Sequence, residues 1–172
     1  MEQNVSMKIN ELPSPTWNWL KVNETSIKWS TKIEPCEIAA EGDAVATETE
    51  QLSDIETGAG READAIFATE NTAKYQILAD NAGQDKTVRL HISGKKDAHT
   101  AGCVEIVAKE NSTLTVVMDS RVAPDATKEE ESTAEASLAV RVRMKVESGA
   151  SVRLIQVQMP QEHETLLSDI GG

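Results

Sequence analysis

Leu138-Ala139-Val140-Arg141-Val142-Arg143-Met144-Lys145-Val146-Glu147 is the stretch on which the fold turns. Leu138, Val140, Val142, Met144 and Val146 share one parity, while Arg141, Arg143, Lys145 and Glu147 share the other. A period of two marks a strand with one face toward a core, because a helix of period 3.6 would scatter the charges among the apolar positions. The pattern predicts that the apolar parity is buried and that the charged parity, Arg143 included, meets solvent.

The same alternation recurs upstream. Val88, Leu90 and Ile92 alternate with Arg89 and His91, Val104, Ile106 and Ala108 with Glu105 and Val107, and Leu114, Val116 and Met118 with Thr115 and Val117. Residues 104–117 also superpose on 142–155 with a shift of 38, which matches Ile106 with Met144, Ala108 with Val146, Leu114 with Val152 and Val116 with Leu154. Asn111 and Gly149 then fall at the corner between two strands, and these residue types most easily adopt positive φ. A mainly β fold follows, with successive turns of a parallel β-helix stacking their inward residues. A β-sandwich is the competing arrangement. Residues 119–135, with Pro124 and three consecutive glutamates (Glu129, Glu130, Glu131), read as a loop thrown out between turns.

Three stretches organise the chain: a Trp-rich segment (1–33), an acidic connector (34–70) and the strands (71–172). Pro13 and Pro15 disfavour helix ahead of Trp17, Trp19 and Trp29, so residues 8–30 are expected to be irregular and pinned by aromatic packing. The connector holds eleven acids against one base, Arg61. It is rich in Ala, Thr, Glu and Gly from Cys36 to about Gly60, and reads as a loosely ordered solvated spacer with one short helix.

The formal net charge of −12 makes nucleic acid a poor partner, since that binding depends on Lys and Arg displacing counterions. No apolar run is long enough for a membrane span and residues 1–10 lack the build of a signal peptide, so the reading is a cytoplasmic chain without membrane contact. Two cysteines far apart in sequence form neither a CxxC pair nor a disulfide framework, and both are expected to be reduced.

At this point a family resemblance enters. Asn10-Glu-Leu-Pro-Ser-Pro-Thr-Trp-Asn-Trp-Leu-Lys-Val-Asn23 resembles the N-terminal segment of bacterial SufD-like proteins. Val152-Arg-Leu-Ile-Gln-Val-Gln158 and Leu166-Leu-Ser-Asp-Ile-Gly-Gly172 resemble the β-helix core of the SufB/SufD family. The resemblance implies a right-handed parallel β-helix and a non-catalytic scaffold in iron-sulfur cluster assembly, in complex with a SufC-type ATPase and a SufB-type subunit. Family members are much longer. Their cluster-forming cysteine and histidine and their SufC-docking helices are expected beyond Gly172, so no catalytic, cofactor-binding or metal-ligating residue is carried onto this chain. An iron-sulfur cluster belongs, on this reading, only to the full complex. A last β-helix turn ending at Gly172 has an open edge, which predicts association through residues 152–159, with a second copy or with the SufB-type subunit.

Among the chain's own candidates, Cys103 shares the parity of Glu105, outward from Val104 and Ile106. A soft-metal site from Cys103, His91 and His99 suits thiolate and imidazole chemistry, but the spacing matches no motif and a packed strand cysteine is the favoured reading. Cys36, beside Glu37, is a poor nucleophile, because a nearby carboxylate raises a thiol pKa. His163 reads as a polar loop residue. The chain has no GxxxxGK[ST], HExxH or GxSxG, so ATP hydrolysis is assigned to a partner and the chain is not read as an enzyme. A carbohydrate-binding or carbohydrate-active β-helix module fits poorly with 3% aromatic residues, and a self-assembling structural module is the other alternative.

Overall fold

The computed structural model describes residues 4–9, 25–30, 32–57, 59, 61–68, 70–80, 83–122 and 136–172. Strands β1 (Asn4–Ile9) and β2 (Thr25–Ser30) pair antiparallel. Then come β3 (Glu34–Pro35), β4 (Glu37–Gly42), β5 (Val45–Glu48) and the single short helix among the described residues, α1 (Arg61–Phe67). Seven strands follow: β6 (Ala73–Ala79), β7 (Asp85–Ser93), β8 (His99–Ala108), β9 (Thr113–Arg121), β10 (Ala136–Val146), β11 (Ser151–Gln158) and β12 (Glu164–Gly171). The chain is mainly β.

These seven strands alternate between two sheets. The larger sheet has the order β12-β10-β8-β6-β5, with β3 beside β8 just ahead of β6, and the smaller has β11-β9-β7-β4. Within each sheet, strands two apart in sequence pair in parallel, and only β4 and β5 join antiparallel. The register read from the 38-residue shift holds: Ile106 lies beside Met144, Ala108 beside Val146, Leu114 beside Val152 and Val116 beside Leu154. The corners hold too. Asn111 has φ 58° and Gly149 φ 70°, and a Cβ on Gly149 would collide with the Asn111 side chain. Glycine takes this φ without steric cost, and its lack of a Cβ leaves room for the Asn111 side chain of the neighbouring corner.

The core lies between the sheets. Ile77, Val104, Ile106, Leu138, Val140 and Val142 enter it from the larger sheet, and Val88, Leu90, Ile92, Leu114, Val116 and Met118 from the smaller. Its two ends differ. At one, β4 joins the smaller sheet and β5 the larger, and the closure is made by Ile38 with the small residues Ala40, Ala44 and Ala46. At the other, β11 and β12 have no further neighbour among the described residues, and Val152, Leu154, Leu166 and Ile170 are only half-buried although the residues beside them are fully buried.

Four expectations need correction. Where described, the Trp-rich segment is a strand pair with Trp29 buried, not an irregular run; Trp17 and Trp19 lie outside the described residues. The connector is largely ordered: β4 and β5 pair into the two sheets, with alanine in place of the large apolar residues that usually betray a strand. The outer face of the larger sheet is not a solvent face. Arg141 is 2% exposed and Arg143 is half-buried, because α1 and the segment of residues 49–57 and 59 cover them. Of the expected loop at 119–135, Asp119, Ser120 and Arg121 belong to β9, and residues 123–135 lie outside the described residues.

A charge placed on three parities of β10 separates these environments. Val142→Asp buries a carboxylate in the core and should cost several kcal/mol. Arg143→Asp should cost about 2 kcal/mol, since it sets a carboxylate beside buried Glu105 and removes a bond to the covering segment. Exposed Lys145→Asp should stay within about 0.5 kcal/mol of wild type in denaturant unfolding. Equal midpoints for Arg143→Asp and Lys145→Asp would show that the outer face is uncovered.

Candidate functional site

Parallel pairing sets side chains of neighbouring strands in lateral rows about 4.8 Å apart. On the outer face of the larger sheet the first row, Ala101, Ala139 and Leu167, is apolar and buried under Ala63, Ile66 and Phe67 of α1. Those helix positions fall at i, i+3 and i+4, one face of a helix. The second row is Lys74, Cys103, Arg141 and Asp169, and the third is Gln76, Glu105, Arg143 and Gly171.

Arg141 and Asp169 centre the second row. Arg141 Nε donates to Asp169 Oδ2 at 2.7 Å, and Arg141 Nη1 meets Asp64 Oδ1 of α1 at 2.8 Å. The guanidinium carbon sits 4.2 Å from the centroid of the Phe67 ring, a cation–π contact. Asp169 also accepts from Thr57 Oγ1 at 2.5 Å and from the Ala59 amide at 2.9 Å. In the third row, Glu105 accepts from the Ser53 amide at 2.9 Å and from Gln76 Nε2 at 2.6 Å, while Arg143 Nη1 donates to the Ser53 carbonyl at 2.6 Å. Lys74 Nζ donates to the Glu50 carbonyl at 3.1 Å. Residues 49–57, with Ala59, thus form a strap, held to the sheet by side chains that grip its backbone. A cavity of about 1010 Å³ lies between strap, α1 and a floor of Lys74, Cys103, Arg141 and Arg143.

Burial pushes the Glu105 carboxyl up, but the hydrogen bonds from Ser53 and Gln76, with the charge of Arg143, outweigh it and hold the group below its ordinary 4.5. Burial drives the Cys36 thiol to about 12, with Cys103 nearby adding to the rise. It drives Cys103 to about 11 against the opposing pull of Arg141, Arg143 and Lys74. Both thiols are therefore protonated at neutral pH and weak as nucleophiles.

The residues singled out in the sequence are dispersed. His99 shares the outer face with Cys103 but lies four residues away along β8, about 13 Å. Its Nδ1 is 2.6 Å from Ser137 Oγ, and its ring tilts against Trp29. His91 is on the smaller sheet, 3.8 Å from Asp119, so Cys103, His91 and His99 do not converge. Cys36 packs into the core beside Gly102, where a Cβ would collide with its Sγ, and lines a second cavity of about 650 Å³. Cys36 and Cys103 are both free and point to opposite faces of one sheet, a geometry that forbids a disulfide without backbone movement. His163 is an exposed turn residue with φ 68°. Among the described residues, no three of His, Cys, Asp and Glu are grouped as metal ligands. No described helix is long and apolar enough to cross a membrane.

Glu105, Arg141, Arg143 and Asp169 were not expected as a group. A signal was available: Glu105 and Asp169 are single charges inside apolar runs, and the 38-residue shift already sets Glu105 beside Arg143. No protein-family model, no curated protein and no solved structure matches the chain.

The lowered Glu105 pKa fixes the sign of a pH effect. A carboxylate with a depressed folded-state pKa contributes stability that is complete above its unfolded value, 4.5, and is lost as pH falls through the lower folded value. Wild type should lose stability steadily from about pH 5 downward, and Glu105→Gln should be less stable at pH 7 with a shallower acid slope. Parallel slopes in chemical denaturation at several pH values would remove Glu105 as the source.

Proposed function

We propose that this chain is part of a right-handed parallel β-helix and serves as a cytoplasmic scaffold subunit of a SufBCD-type iron-sulfur cluster assembly complex. The observation that carries the reading is the pairing: strands that alternate between two sheets and stack in parallel on the strand two places earlier, in the register that the repeat predicts. Parallel pairing of this kind supports the β-helix that the SufB/SufD resemblance implies for residues 152–158 and 166–172. The protonated thiols and the dispersed histidines favour a supporting role for this chain, with the ATPase activity supplied by a SufC-type partner. The half-exposed Val152, Leu154, Leu166 and Ile170 at one end of the core offer matching strands an apolar, hydrogen-bond-ready edge, where a SufB-type subunit or a second copy would add.

The test is co-expression of the tagged full chain with a SufC-type ATPase and a SufB-type subunit, followed by affinity capture and size-exclusion chromatography. The scaffold reading expects one peak holding all three chains. A chain that elutes alone, or only as multimers of itself, refutes the scaffold reading.

A further inference from the structure

We propose that the cavity floor beneath the strap is a binding site for the oxyanion of a small ligand, a carboxylate or a phosphate, and that the Ser53 carbonyl is its internal placeholder. The inference stands independently of the scaffold reading.

Two buried donors on the cavity floor lack acceptors among the described residues. The Arg141 side chain is 3% exposed and lines the cavity, and its Nη2 has no hydrogen-bond partner among the described residues. Arg143 lines the same cavity and gives Nη1 to the Ser53 carbonyl, while its buried Nε has no partner among the described residues. Buried donors are almost always satisfied in folded proteins, and an orphaned one points to a missing water or ion. A guanidinium satisfies itself best against a carboxylate or phosphate, which accepts two parallel N–H bonds where a single carbonyl engages one.

The charges of the cavity are divided, with Lys74, Arg141 and Arg143 on its floor and the carboxylates of Glu50, Asp54, Glu56 and Asp64 in the rest of its lining. Lys74, Arg141 and Arg143 surround Cys103 closely enough for all three to act on its thiol. Lys74 and Arg143 donate to strap backbone carbonyls rather than to carboxylates. Glu50, Asp54 and Glu56 of the strap are exposed and stand at the cavity rim. An oxyanion arriving between strap and α1 displaces the Ser53 carbonyl, bridges Arg143 and reaches Arg141 Nη2. The acidic rim disfavours a ligand with further negative charge, so the class is a singly anionic head on a neutral or cationic body.

The experiment follows the arginine Nε–Hε resonances of the ¹⁵N-labelled full chain by NMR as sodium phosphate or sodium acetate is added at constant ionic strength. The Arg143 resonance should shift saturably, while that of Arg153, exposed on the smaller sheet, should barely move. Saturation at lower phosphate than acetate identifies a phosphoryl ligand, and the reverse order a carboxylate. Ser53→Pro removes the amide held by Glu105 and loosens the placeholder, so affinity should rise about threefold or more. Arg143→Gln should weaken binding about tenfold, with Arg143→Lys, which keeps the charge and loses the fork, as the variant to use if the first does not fold. Linear shifts of equal size at Arg143 and Arg153, or unchanged or weaker binding in Ser53→Pro, would overturn the proposal.

Discussion

A buried ion pair, Arg141 with Asp169, organises the outer face of the larger sheet. It joins β10 to β12, and through its remaining atoms it holds Thr57 and Ala59 of the strap and Asp64 and Phe67 of α1. Taking both charges out of water is expensive, and the compensation comes from this set of additional hydrogen bonds. Covering the pair is what makes the strap and helix necessary. Without them Arg141 would meet solvent, and Ala101, Ala139 and Leu167 would be an exposed apolar strip.

The inner face obeys a simpler rule. Parallel stacking puts like residues beside like, so branched and linear aliphatics fill lateral rows, and the corner residues Asn111 and Gly149 turn the chain in the same place on successive passes. The two faces meet different demands: the inner one fixes register, and the outer one fixes what the register carries. A lateral row can place Lys74, Cys103, Arg141 and Asp169 side by side although they are distant in sequence. The half-exposed end of the core, where Val152 and Leu154 lie, offers a position that matching strands can extend.

The strands from Val88 onward were legible because large aliphatics alternate with polar residues there, and the register was legible because two of those blocks repeat. β4 and β5 were hidden by their alanines: beside Ile38, Ala40 and Ala46 pack against the core with too little side chain to announce a period. The candidate site was misread for a physical reason. Alternation locates a charged parity but does not say whether that parity faces water, and here Arg141 and Arg143 face a strap and a helix from far upstream. The partner acids, Glu105 and Asp169, looked like isolated interruptions until parallel pairing set them beside the arginines.

The most direct test of this account is a double-mutant cycle on Arg141→Met and Asp169→Leu, read by equilibrium unfolding. Each single change strands a buried charge and should cost about 3–5 kcal/mol, while the double variant should regain about 2 kcal/mol or more of the summed loss. The amides of α1 should lose exchange protection in Arg141→Met, because Asp64 and Phe67 both rest on that side chain. Additive losses within about 0.5 kcal/mol, with α1 protection unchanged, would contradict the claim that this pair organises the outer face.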